Sequence, residues 1–162
     1  MNNNLLVKAG DNLLNRITSI SGNVDLDKLT PSIFIAQTSE IRRVLTEPLY
    51  NKILEDFTTG TLTGDYLTIY EDYISLMLMY YTASHFIFSN AITINNGGNF
   101  KHTATNAQVV DYKENDRIVT KYRELGANEE LRFEKFMKTV NIPEYKNNCS
   151  TKNNSYKFPW QI

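Results

Sequence analysis

The stretch that most constrains this chain is YISLMLMYYTASHFIFS, which runs from Tyr73 to Ser89 without a charged residue. A bilayer crossing takes about 20 mostly apolar residues. This run is shorter, contains hydroxyl groups and a histidine, and follows Glu71 and Asp72, so we expect no membrane partner. A helix that is apolar on nearly every side must be covered on every side. The run is therefore predicted to be the central helix of a bundle, with a neighbouring subunit covering one flank.

The aromatic residues of this central helix suit a contact surface, because a tyrosine offers an apolar ring and a hydroxyl that can pair or meet water. We predict that the helix begins at Asp65 and ends near Ile94, where NNGG is a strong stop. A histidine on such a helix is usually a hydrogen-bonded core or interface residue. The side chains expected in the core or between subunits are Tyr73, Met77, Tyr80, Tyr81, His85 and Phe88.

Two short helices are predicted ahead of the central one. Thr30 can cap the first, and Pro31 suits its first position because no N–H is needed there. Its apolar stripe consists of Ile33, Gln37, Ile41, Val44 and Leu45. Pro48 ends this run and Thr46 can cap the second helix. The face of the second helix consists of Leu49, Tyr50, Ile53, Leu54 and Phe57.

A long charged helix is predicted from Asn106 to Val140. Its apolar stripe drifts near Gly126, which predicts a kink or a break at that point. The fold class is therefore all-α: a small helical bundle with two short helices, one long central helix and one long charged helix. An extended N-terminal arm (1–30) precedes the helical domain (31–146), and a C-terminal tail (147–162) follows it.

Two further segments are candidates for contact with partners. A Gly-rich loop between helices is a frequent place for function, and here it comprises Asn96, Gly97, Gly98, Asn99 and Phe100. The tail is nearly free of apolar residues from 147 to 155 and then ends in an aromatic segment. That segment either folds back over its own bundle or docks on another subunit, through Tyr156, Phe158, Pro159, Trp160 and Ile162.

The sequence contains no recognisable catalytic pattern. His85 and His102 lie far apart, and neither has the Cys or Glu spacing of a zinc site. Cys149 is the only cysteine, so no disulfide forms within one chain. We therefore predict a protein that is not an enzyme, with no metal and no cofactor. The chain has 17 Lys and Arg against 18 Asp and Glu, and this balance argues against a nucleic acid as the main ligand.

Three short segments resemble the head–tail connector (adaptor ring) proteins of tailed double-stranded DNA phages, most closely those of crAss-like phages. They are Ile33-Phe34-Ile35-Ala36-Gln37 in the first helix, Glu47-Pro48-Leu49-Tyr50 at the break, and Ile142-Pro143-Glu144-Tyr145 after the last helix. The resemblance covers residues 25–146. Members of that family more often carry a glycine near the break, where this chain has Thr46.

The resemblance implies a structural virion protein at the capsid–tail junction, present in the host cytoplasm before assembly. Its partners would be further copies of itself in a ring, usually of twelve, together with the portal protein and the next tail component. Double-stranded DNA would pass through the ring without sequence-specific binding. The alternative is a small soluble helical regulatory or partner-binding module that acts as a monomer or dimer.

Overall fold

The computed structural model describes residues 5–7, 18, 20, 26–90, 93–95, 98–100 and 112–145. The first helix is a continuous run of Leu26–Ile35, a π-helical segment Ala36–Ile41, and Arg42–Leu45; the second helix is Glu47–Thr59. The central helix comprises Gly64–Ile69, a π-helical segment Tyr70–Ile74, and Ser75–Asn90. Strands β1 (Thr93–Asn95) and β2 (Gly98–Phe100) come next, and the last helix is Tyr112–Met137. The predicted all-α bundle is confirmed, with a short hairpin added to it.

The first helix begins at Leu26, so the prediction that it begins at Pro31 was wrong. Leu29 is buried on the same face as Ile33, one turn further along, and this apolar pair extends the helix toward the N-terminus. Pro31 lies inside the helix with its ring exposed. Pro31 is the sixth residue of this helix, beyond the first turn, so its missing N–H removes one i→i−4 hydrogen bond. All five residues of the predicted stripe are buried.

Thr46 separates the first and second helices, but it does not cap the second one as predicted. Its backbone has φ 68° and ψ 156° and its side chain makes no cap hydrogen bond. The Thr46 hydroxyl is buried and has no hydrogen-bond partner among the described residues. A positive φ is rare outside glycine. Thr46 is therefore a strained junction rather than a cap.

The central helix is the core element of the bundle. It packs most extensively against the last helix and also against the first helix. It begins at Gly64 and ends at Asn90, so the prediction that it reaches Ile94 was wrong, because residues from Thr93 onward pair as β1 with β2. No helix in the described part of the chain is long and apolar enough to cross a membrane.

The last helix runs antiparallel to the central helix. Tyr73, early in the central helix, stacks on Phe136 with ring centres 5.0 Å apart. Tyr80, two turns later, stacks on Tyr122 at 6.4 Å. The last helix passes through Gly126 without the predicted break. The stripe drifts there because the side chain that fills the site comes from the central helix.

Candidate functional site

A buried glutamine joins the N-terminal arm to the helices. Gln37 is 2% exposed, its amide nitrogen donates to the Tyr50 hydroxyl at 2.9 Å, and its amide oxygen accepts from the Leu6 N–H at 2.7 Å. The Tyr70 hydroxyl donates to the Leu6 carbonyl at 3.3 Å. These bonds satisfy the buried side-chain amide of Gln37, and they fix one point of the arm to three helices. We call these four residues the arm anchor.

A second polar cluster connects the first and last helices over the central one. The Arg43 guanidinium donates to the Glu130 carboxylate at 2.6 Å, and the Tyr81 hydroxyl donates to the same oxygen. Burial and this hydrogen bond both raise the pKa of Tyr81. A carboxylate that accepts from a cation and a phenol is held in one position. We call Arg43, Tyr81 and Glu130 the three-helix junction.

Gly126 makes the three-helix junction sterically feasible. A Cβ at Gly126 would lie 2.6 Å from Cζ of Tyr81, well inside normal contact. The glycine therefore lets the Tyr81 ring lie directly against the backbone of the last helix. Its hydroxyl then reaches Glu130, one turn further along the same helix. The glycine that suggested a kink instead provides room for an aromatic ring.

His85 lies one turn beyond Tyr81 on the same face of the central helix and is half-buried. Burial lowers its pKa; Glu40 of the first helix opposes that effect, whereas Arg123 of the last helix adds to it. The lowered pKa favours the neutral form of the His85 imidazole. Among the described residues no group of three or more histidine, cysteine or acidic side chains could hold a metal ion.

The segment after the last helix returns to the start of the central helix. The Tyr66 hydroxyl donates to the Glu144 carboxylate at 2.8 Å. Burial and this carboxylate raise the pKa of Tyr66 to about 12. The Tyr145 ring packs edge-on against Phe133 with ring centres 5.6 Å apart. The end of the described chain is therefore held at the N-terminal end of the central helix.

Exposed apolar side chains occur on three helices. The predicted contact residues of the central helix range from buried (Met77, Tyr81) through half-buried (Tyr73, Tyr80, His85) to exposed (Phe88, 63%). Three more large apolar residues are exposed, and none of them was predicted as a contact residue: Phe34 at 46%, Ile35 at 43% and Leu131 at 55%. Leu131 interrupts a run of charged residues on the outer face of the last helix, so its exposure could have been predicted from the sequence.

Residues 41–155 match the model of a family of unknown function, DUF6712. The match spans more than half of the 162 residues. The chain belongs to the DUF6712 family. No curated protein and no solved structure matches the chain significantly. The DUF6712 region contains the whole three-helix junction, whereas Leu6 and Gln37 of the arm anchor precede it.

The two other predicted contact segments lie within or beyond the DUF6712 match. Gly98, Asn99 and Phe100 form strand β2, so this part of the predicted loop is a strand paired with β1. Asn96 and Gly97 lie outside the described residues. So does the aromatic segment with Tyr156, Phe158, Pro159, Trp160 and Ile162. The prediction that these segments bind partners stays a prediction.

Proposed function

We propose that this DUF6712 protein is a head–tail connector of a tailed double-stranded DNA phage. Copies of the chain would form a ring beneath the portal, link capsid to tail and continue the DNA channel. The proposal rests on the resemblance of three short segments to such connectors. Its structural support comes from the role of those segments in the fold.

The three segments that carry the resemblance supply the bonds that hold the bundle together. Gln37 of the first segment donates to Tyr50 of the second at 2.9 Å. In the third segment, Glu144 accepts from Tyr66 at 2.8 Å and Tyr145 packs on Phe133. Residues in such positions determine how the helices are arranged. A resemblance at these positions therefore favours a shared framework, and this is the observation that carries the proposal.

The exposed apolar side chains are compatible with a head-to-tail ring. Such a ring needs two unlike patches on every copy, because each copy contacts its two neighbours through different surfaces. Phe34 and Ile35 project from the first helix and Leu131 from the last, and these helices pack on the central helix. A dimeric regulator would need one self-complementary patch instead.

The charge balance fits a wall along which DNA moves. Each phosphate neutralised by a lysine or arginine strengthens binding to DNA, so a densely basic channel would retain the genome. The chain has a net charge of −1. A ring with a dense Lys and Arg lumen would contradict this part of the proposal.

The proposal is tested by retrieving partners from infected-cell lysate. The baits are the full chain and a version that stops after Asn148. A matched control is the full-length chain with Lys152→Ser and Lys157→Ser, which keeps the aromatic residues. We expect the full chain and the control to retrieve portal or tail proteins, and the shortened chain to lose some of them. If none of the baits retrieves a virion protein, the connector proposal is wrong and the helical regulator is favoured.

A further inference from the structure

The C-terminal segment alternates strictly between apolar and other residues. Its sequence is YKFPWQI, with apolar side chains at 156, 158, 160 and 162 and other residues at 157, 159 and 161. In a β-strand successive side chains point to opposite faces. An extended conformation would therefore place Tyr156, Phe158, Trp160 and Ile162 together on one face. A helix would scatter them.

Pro159 occurs in this segment at a position compatible with an added edge strand. In a strand the N–H and C=O of one residue point to the same side, and those of the next residue point to the other side. The missing N–H of Pro159 therefore belongs to the side shared with residues 157 and 161. The opposite side keeps its full set of donors, at 156, 158, 160 and 162. Proline is tolerated in a sheet where its N–H side faces outward.

The hairpin after the central helix is the sheet to which such a strand could add. β1 and β2 pair antiparallel, with Thr93 opposite Phe100 and Asn95 opposite Gly98. In the described part of the chain the sheet contains these two strands and no third. Within the described residues the outer edge of each strand therefore has no strand beside it, and such an edge is a template for another strand. A two-stranded hairpin is by itself marginally stable, and a third strand stabilises it.

An exposed aromatic side chain precedes the hairpin. Phe88 lies five residues before Thr93, near the end of the central helix, and is 63% exposed. A strand with four apolar side chains on one face needs an apolar surface beside its edge contacts. Phe88 offers such a surface close in sequence to the open strands.

The hairpin and the start of the tail lie at opposite ends of the bundle. Tyr145 packs on Phe133, which also contacts Tyr73 with ring centres 6.1 Å apart. From Tyr73 to Asn90 the central helix rises about 25 Å. The ten residues 146–155 span at most about 35 Å when extended, which exceeds the distance along the central helix between these two ends. The tail segment and the hairpin that would receive it are thus two different surfaces of one chain, as a head-to-tail contact requires.

We propose that residues 156–162 of one copy add as a third strand to the β1–β2 hairpin of a neighbouring copy. This deepens the connector proposal and rests on it for the existence of neighbouring copies. Backbone hydrogen bonds would join the strands, and the apolar face of the tail would cover Phe88. Pro159 would face outward and prevent a fourth strand from pairing.

The test uses full-length chains in two isotope forms. Light chains carry Trp160→p-benzoylphenylalanine, a photo-cross-linking side chain, and are mixed with heavy ¹⁵N chains under conditions of assembly with the portal and also at high concentration alone. We expect cross-links from light residue 160 to the heavy peptide that contains residues 88–100. Cross-links only within light chains would overturn the neighbouring-copy proposal, and so would cross-links only to the portal or to another part of the bundle.

A comparison of proline substitutions at two adjacent positions, 157 and 158, separates strand pairing from simple apolar contact. Phe158→Pro removes an N–H on the side that would face the hairpin, whereas Lys157→Pro removes one on the outward side. Phe158→Ala measures the loss of the ring alone. We expect Phe158→Pro to lower the cross-link yield about tenfold below that of Phe158→Ala, and Lys157→Pro to retain it. Equal losses for the two proline variants would overturn strand addition.

These outcomes are distinguishable from failure of the connector proposal. A light-to-heavy cross-link at the hairpin in chains that retrieve no virion protein would leave the strand addition intact and remove the phage function. Retrieval of the portal with no such cross-link would support the connector function and overturn the strand addition.

Discussion

Replacing Thr46 by glycine should stabilise this protein, although glycine usually destabilises. Thr46 has φ 68° and ψ 156°, a region that is essentially reserved for glycine and costs a side-chain-bearing residue about 1–3 kcal/mol. Its buried hydroxyl has no hydrogen-bond partner in the described part of the chain, which costs about 1–3 kcal/mol more. Both costs disappear in Thr46→Gly.

Two losses oppose this gain. Glycine gives the unfolded chain more conformational freedom, which raises the free-energy cost of folding by about 0.4–1 kcal/mol. Removal of the buried methyl group costs about 0.8 kcal/mol. The net expectation is a stabilisation between about 0.2 and 5 kcal/mol, centred near 2.5 kcal/mol, and for a chain of this length each kcal/mol raises Tm by roughly 2–4 °C. Urea unfolding followed by circular dichroism measures the free energy directly.

Thr46→Ala isolates the backbone contribution, because it removes the hydroxyl and keeps the Cβ. We expect Thr46→Gly to be more stable than Thr46→Ala by about 1 kcal/mol. Thr58→Gly, at an exposed site within the second helix, is the matched control and should lose stability through helix propensity. If Thr46→Gly is no more stable than Thr46→Ala, the assignment of strain to Thr46 is refuted.

Three further variants test the contacts of the central helix. Gly126→Ala should cost about 1–3 kcal/mol in urea unfolding because the new methyl meets the Tyr81 ring, and in a Tyr81→Ala background it should stop destabilising. Tyr66→Phe should cost about 1 kcal/mol and remove the phenol that titrates near pH 12 in alkaline absorbance, whereas Tyr66 titrating near 10 would contradict the Glu144 bond. The lowered pKa of His85 means that the folded state binds fewer protons, so stability should fall as pH drops through about 6.5, and His85→Gln should lack that loss.

Local periodicity was sufficient to predict most of the helical framework. Apolar residues three and four apart placed Ile41, Leu45, Leu49 and Ile53 on buried faces, and the structure confirms each of them. This works because such residues share one face of a helix and helix packing buries that face. The all-α class follows from the same regularity.

The errors arose where a distant residue determined a local feature. The drift of the apolar stripe at Gly126 suggested a kink or a break, but the helix continues through Gly126 without a break and the Tyr81 ring from another helix fills that place. Gln37 was correctly predicted on the buried stripe, but its bond to Leu6, 31 positions earlier, was not predicted. No local pattern encodes these contacts, because each depends on how separate helices pack.

A second kind of error came from a local signal that the backbone overrides. Thr46 has the side chain of a helix cap, but capping needs extended φ and ψ with the hydroxyl directed at the helix N–H groups. The backbone at Thr46 has positive φ instead. Thr46 is the single residue between the first and second helices, so its backbone makes the whole connection between them.

The central claim, a ring of copies at the capsid–tail junction, is tested most directly by cryo-electron microscopy of virions from the phage that encodes this chain. We predict that symmetry averaging along the tail axis shows this helical bundle repeated around the DNA channel, between the portal and the first tail component. A vertex in which the portal meets the tail without this bundle would contradict the claim.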